Sequence, residues 1–226
     1  MRLRRFVHDN GLALFFGAIF LGSLAAQAYT GWHSYNVDQV VHSSPELSFL
    51  RYVTSSSFAV AVTENWQSEY LQFTLFILLT VWFVQRGSPE SKQPGEEGGE
   101  SDEQQSVGAH AKPDSPKWVK AGGWRLSVYS NSLVLVMGAI WIWCWFAQSV
   151  SGWSEYNAER LEHEQPSLSW VGYLGSADFW QTTLQNWQSE FLAVGSMAVF
   201  SIYLRQRGSP ESKPVGAPHD ATGVEG

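Results

Sequence analysis

Residues 11–29, GLALFFGAIFLGSLAAQAY, and residues 132–150, SLVLVMGAIWIWCWFAQSV, contain no charged side chain. Nineteen helical residues rise roughly 29 Å, close to the hydrocarbon thickness of a bilayer, so each stretch predicts a transmembrane helix. A polar, aromatic segment follows each one, and then a second apolar run, residues 70–84 and 191–204. Ser57 and Asp178 precede these second runs at equivalent positions, and both are good N-caps. From there a helix is expected to reach Gln85 or Gln206, with Gly87 or Gly208 as its stop and a proline two residues on. Such a helix has about 28 residues and is roughly 42 Å long. The pattern predicts an all-α membrane protein with four transmembrane helices.

The same pattern is written twice. Shifting the chain by 121 residues aligns 10–92 with 131–213 without a gap, and 33 of the 83 positions are identical. An internal duplication of this size determines the architecture. The matches include Gly31-Trp32 with Gly152-Trp153, Tyr35-Asn36 with Tyr156-Asn157, His42 with His163, and Tyr52 with Tyr173. Residues 65–69 and 186–190 both read NWQSE, and residues 85–92 and 206–213 both read QRGSPESK. The expected organisation is two tandem hairpins, residues 1–92 and 124–213, related as parallel repeats. Between them, residues 93–123 are acidic and rich in Gly and Pro, which predicts a flexible linker, and residues 214–226 read as a disordered tail.

Cations set the expected orientation. The side that holds the termini and linker carries Arg2, Arg4, Arg5, Arg86, Lys92, Lys112, Lys117, Lys120, Arg125, Arg205, Arg207 and Lys213. The other side has only Arg51 and Arg160. The positive side faces the cytoplasm, so both termini are expected inside a bacterial inner membrane. Arg86, Arg205 and Arg207 are placed to reach lipid headgroups. A competing pattern is present at the start. RLRRF, an apolar run and Ala26-Gln27-Ala28 resemble a secretory signal peptide, which would remove residues 1–28. Against this, the matching mid-chain segment is a span and Gln27 pairs with Gln148.

Composition excludes several function classes. A net charge of −7 gives no basic face for nucleic acid. The single Cys144 allows no intrachain disulfide and no four-cysteine metal site. The 12 tryptophans suit positions at a water–lipid boundary. Among them Trp141, Trp143 and Trp145 are expected to face lipid and neighbouring helices.

On the outer side, Ser44-Pro45-Glu46 looks like a cap, a first-turn proline and a first-turn acid, so a short helix is expected over the following LSFLRYV. Its counterpart is LSWVGYL. Gln27 lies 16 residues, about 24 Å, from the inner start of its span. Glu69 lies as far from the inner end of the next, with Asn65 one turn away on the same face. With Gln148, Asn186 and Glu190 in the second half, these residues predict a polar layer near the outer boundary, with Ser68 and Ser189 beside it. Two readings stand at this stage: a hydrogen-bonded clamp between helices, or an ion, proton or ligand site built on the two carboxylates. His42 and His163 are expected to be loop histidines bonding locally. No metal site, cofactor motif or catalytic residue is indicated.

The NWQSE block leading into the second span and the QRGSPESK block leaving it resemble a family of uncharacterised bacterial integral membrane proteins built on a domain of unknown function. That family's pattern is NWxSEFLQ with RQRGSxESK. The first half departs from it at Tyr70 and Val84. The resemblance implies a multi-span envelope protein and carries no activity with it. The expected function is therefore a non-enzymatic structural or envelope-assembly role. The expected partners are the lipid bilayer and a second copy or another membrane protein. The alternative is a small transporter or channel using Glu69 and Glu190, and a membrane enzyme comes third.

Overall fold

The computed structural model describes residues 2–226. Among these the regular structure is helical, with no strand. Four α-helices fall in the first half: α1 (Arg2–Asp9), α2 (Gly11–Val41), α3 (Phe49–Val53) and α4 (Ser56–Leu79). Five follow: α5 (Lys117–Ala121), α6 (Gly123–Ser130), α7 (Ser132–Glu162), α8 (Trp170–Leu174) and α9 (Ala177–Tyr203).

Helices α2 and α7 start where the charge-free stretches start. Each has 31 residues and so is about 46 Å long. Both are long and apolar enough to cross a membrane. They run on to Val41 and Glu162, well past the apolar stretch. The charge-free window marks the part of a helix suited to lipid; it does not mark the helix end. At these ends the two histidines behave alike: His42 Nδ1 lies 2.9 Å from the Asp38 carbonyl, and His163 Nδ1 lies 2.9 Å from that of Glu159.

Three sequence expectations need correction. The second long helix of each half is capped two residues before Ser57 and Asp178. Ser55 Oγ accepts from Phe58 N at 3.3 Å, and Ser176 Oγ accepts from Phe179 N at 3.2 Å. A cap needs its oxygen over the amide three residues on, and the matched serines satisfy that. Next, α4 stops at Leu79 and α9 at Tyr203, short of Gln85 and Gln206. The amides of Gln85 and Gln206 donate instead to Ser91 Oγ and Ser212 Oγ, both at 2.9 Å, so they are withdrawn from the helical ladder. Finally, the short outer helices begin at Phe49 and Trp170, with Ser48 and Ser169 as N-caps, and not at Ser44.

The chain forms two compact units, Met1–Val62 with Val150–Ser167, and Thr63–Ser149 with Leu168–Gly226. Each unit takes residues from both halves of the duplication.

In the first unit, the extended segment before α3 is held by the end of α2. Asn36 makes two bonds to the Leu47 backbone: its Nδ2 donates to the Leu47 carbonyl and its Oδ1 accepts the Leu47 amide, each at 2.9 Å. Trp32 Nε1 donates to the same carbonyl at 2.6 Å. Tyr52 of α3 then packs so close to α2 that a Cβ on Gly31 would collide with its hydroxyl. The conjunction of Gly31, Trp32, Asn36 and Tyr52 thus has one cause, the docking of α3 on α2. Replacing Asn36 by Ala strips the Leu47 amide of its partner and is expected to cost about 1–3 kcal/mol. Asn36→Asp keeps the acceptor and retains part of the stability. Thermal unfolding in detergent measures both.

Candidate functional site

The second unit contains a tryptophan-lined helix interface. On α7, Trp141, Trp145 and Gln148 recur at helical spacing on one face. On α9, Phe179, Thr183 and Trp187 do the same. The Trp145 ring lies 6.1 Å from Phe179, 6.3 Å from Trp180 and 6.3 Å from Trp187. Trp141 stacks on Trp145 at 6.0 Å with the planes 13° apart. A side-chain bond bridges the face to α4: Trp187 Nε1 donates to Gln67 Oε1 at 2.9 Å. Gln67 is fully buried, and its Nε2 donates to the Glu64 carbonyl at 3.1 Å. This three-helix junction is the polar centre of the unit.

The junction is incompletely satisfied. Trp141 Nε1, Trp145 Nε1, Gln148 Oε1 and Thr183 Oγ1 are all buried without a hydrogen-bond partner. Each such group costs about 1–3 kcal/mol. Beside it lies a cavity of about 320 Å³ walled by Trp145, Phe146, Trp170, Leu174, Phe179 and Trp180. Ser149 is the polar side chain on its wall, and it is already engaged: its hydroxyl donates to the Phe146 carbonyl at 2.7 Å and accepts Trp170 Nε1 at 3.3 Å.

The six residues expected to form a polar layer divide. Gln27 lies in the first unit, exposed, and donates to the Ala61 carbonyl at 3.3 Å. In the second unit Gln148 is buried, Asn186 turns back to the Thr182 carbonyl at 3.0 Å, and Asn65 and Glu69 are exposed. The charge of Glu190 acts at Glu69. The buried polar side chains that do converge here, Gln67, Thr183 and Trp187, were missed. The repeated NWQSE block contains two of them, but Gln188, the match of Gln67, is exposed. The duplication therefore conceals an asymmetry that repeat logic averages away.

The QRGSPESK blocks explain themselves at atomic level. In each, the serine amide after the glycine donates to the glutamine carbonyl three residues back, Ser88 to Gln85 at 3.0 Å and Ser209 to Gln206 at 3.2 Å. Gly87 and Gly208 occupy the positive-φ position of that turn at +87° and +81°. The second serine closes the loop on the glutamine amide. The final lysine reaches forward to the carbonyl six residues on: Lys92 Nζ to Gly98 O at 2.8 Å, and Lys213 Nζ to His219 O at 2.9 Å.

Lys213 also donates to the Pro218 and Ala221 carbonyls, at 3.2 and 3.1 Å. Burial lowers the pKa of its ammonium and nearby Arg205 adds to this, while Asp220 opposes both. Arg205 bonds the carbonyls of Ser201, Ile202 and Leu204 at the end of α9 and that of Ala217 in the tail. It is therefore a helix C-cap, whereas Arg86 and Arg207 are exposed. The tail has no regular structure, but it is tied to the first motif: Gly87 N donates to Thr222 Oγ1 at 2.8 Å, and Gly223 N to Ser88 O at 3.0 Å. The matched acids Glu90 and Glu211 share a side-chain hydrogen bond. Burial, then that bond and the charges of Glu211 and Glu225, push the Glu90 carboxyl up to about 6.

These features define a class: an all-helical protein with two helices fit to cross a membrane and a duplicated loop motif. The chain belongs to the DUF6766 family, a domain of unknown function, whose family model matches residues 3–224. No curated protein and no solved structure matches the chain.

Two outcomes follow from the loop geometry. A side chain on Gly208 meets open space, so Gly208→Ala carries only the left-handed backbone cost, about 1–2 kcal/mol. A Cβ on Gly87 would also strike the His219 carbonyl, so Gly87→Ala is expected to cost more and to release the tail to proteolysis. The second concerns pH. Glu90 holds its proton more tightly when folded than its ordinary value of 4.5 allows, so loop stability falls as pH rises from about 4.5 through about 6. Hydrogen exchange of the motif amides, corrected for intrinsic rate, should therefore be faster above that window than below it, and Glu90→Gln should flatten the difference.

Proposed function

We propose that the chain is a four-span bacterial inner-membrane protein with both termini in the cytoplasm and a structural, non-enzymatic role in envelope assembly. One observation carries the membrane part. In the most apolar windows of α2 and α7, only 6% and 17% of residues are buried by the chain itself. Phe15 on α2 and Trp143 on α7 are each 61% exposed. Helices this apolar and this uncovered need an apolar surrounding, which a bilayer supplies along their charge-free windows. On this reading α4 and α9, with 24 and 27 residues, are the return spans, about 36 and 40 Å long. Their NWQSE blocks lower their hydropathy, and those blocks sit where buried partners such as Trp187 and Gln67 take up the polar groups. The role itself rests on the duplicated QRGSPESK loops, which in this reading present one cytoplasmic surface twice to a partner or a second copy.

A second reading, a small transporter or channel, is favoured by the Glu190 charge that acts at Glu69. It requires ion or proton flux in liposomes that Glu69→Gln with Glu190→Gln abolishes.

Topology is tested in intact cells with single cysteines in a Cys144→Ser background. Arg86→Cys and Arg207→Cys, both at exposed motif positions, are expected to resist an impermeant maleimide until the cells are opened. Ser43→Cys and Glu164→Cys are expected to label at once. Labelling of the two motif positions on opposite faces would end the parallel-repeat topology.

A further inference from the structure

We propose that the second QRGSPESK motif, residues 206–213, is a docking site for another protein, which presents to it an Asp-Xaa-Thr-Gly segment as this chain's own tail does to the first motif. This deepens the reading above, in which the motifs face a partner, and rests on it. The two octapeptides are identical and fold into the same turn, yet they differ in what covers them. In the first, Gly87, Ser88 and Pro89 are buried, and the tail lies over them. In the second, Gly208 and Pro210 are exposed and Ser209 is half-buried. The filled copy therefore shows what the open copy accepts.

Its contacts state the chemistry of the occupant. The Gly87 amide donates to Thr222 Oγ1 at 2.8 Å, so a hydroxyl belongs there. The next residue, Gly223, donates its amide to the Ser88 carbonyl at 3.0 Å. It sits at φ +67°, and a Cβ on it would lie 3.0 Å from the Ser91 carbonyl, so this residue is a glycine. Two residues before the threonine, Asp220 lines the same cavity as Arg86 and supplies the opposite charge. The open copy has each matching group: the Gly208 amide, the Ser209 and Ser212 carbonyls, and the exposed Arg207. The Ser209 carbonyl accepts the Ser212 amide at 3.2 Å and keeps a second lone pair. Gly226 lies beside these two carbonyls with no hydrogen bond to either, so the docked glycine takes its place. A second copy has no tail to spare for this. In its own chain the tail is held by Lys213 at the Pro218, His219 and Ala221 carbonyls, by Arg205 at that of Ala217, and by His219 at that of Ile202. No other Asp-Xaa-Thr-Gly occurs in the sequence, so the occupant comes from a different protein.

The test titrates the full chain in detergent with a fluorescein-labelled peptide of the tail sequence HDATGVEG, read by fluorescence anisotropy. Wild type is expected to bind one peptide. Gly208→Ala should weaken binding more than tenfold. Its Cβ meets open space in the free chain but would strike the docked peptide, as one on Gly87 would strike the His219 carbonyl. A Thr222→Val peptide lacks the hydroxyl acceptor and should bind about fivefold more weakly, the order of one lost hydrogen bond. Circular dichroism checks that Gly208→Ala keeps its helices; if it does not, the Thr222→Val peptide decides, and unchanged affinity overturns the proposal. No binding by wild type, or equal binding by wild type and a folded Gly208→Ala, also overturns it. Self-association of wild type that Gly208→Ala abolishes puts a second copy's tail on the motif and overturns the separate partner. Binding in detergent does not depend on the membrane side, so its failure leaves the cytoplasmic reading standing. Labelling of Arg207→Cys in intact cells overturns that reading and this proposal with it.

Discussion

The structure depends on one constraint: α2 and α7 are too apolar for water and are not covered by the rest of the chain. At about 25 cal/mol per Å² of apolar surface, leaving helices of this length wet would cost far more than a domain's net stability. Everything else is arranged around their surroundings. Tryptophans concentrate along α7, where the rings can serve lipid and helix contacts alike. Polar side chains occur where another helix can receive them, as Trp187 finds Gln67. The irregular backbone lies beyond the helix ends, where each QRGSPESK loop satisfies its own amides with serine hydroxyls.

The duplication has two different fates in the two places it is strongest. In the QRGSPESK loops the copies are the same object, with the same turn, the same serine closure and the same forward-reaching lysine. Small residues and short-range bonds determine that geometry, so it survives wherever the octapeptide is placed. In the NWQSE blocks the copies diverge. Gln67 is buried while Gln188 is exposed, because what a helical side chain touches is decided by the neighbouring helix and not by its own block. The cavity on Trp145, Trp170 and Trp180 extends this divergence, since the first half lacks all three tryptophans.

Much of the fold was legible because long uncharged runs mark the helices that are apolar enough to cross a membrane. Gly11 and Ser132 were readable as helix starts for that reason. The ends were not: Val41 and Glu162 lie in polar sequence that remains helical without needing lipid. Ser55 and Ser176 were overlooked as caps because Ser57 and Asp178 offer equally good side chains nearby, and only the reach to Phe58 and Phe179 separates them. Gln85 was not readable as lying outside α4, because its amide is taken by Ser91 Oγ, six residues on, a competition no propensity scale records. Of the expected polar layer, Gln148 sits at the helix junction. Gln67 and Thr183 were missed because burial at a three-helix contact has no periodic signature. Arg205 looked like a lipid anchor from its position alone, yet its guanidinium is occupied by the carbonyls that end α9.

The central claim is that lipid, not water or more protein, surrounds the exposed apolar faces of α2 and α7. Spin labels at Leu21 and Ile142, which are 64% and 59% exposed, test it directly in reconstituted vesicles by power saturation. Lipid contact predicts high accessibility to molecular oxygen and low accessibility to a water-soluble nickel chelate at both positions. Strong relaxation by the nickel chelate, or exclusion of both reagents, would contradict the account.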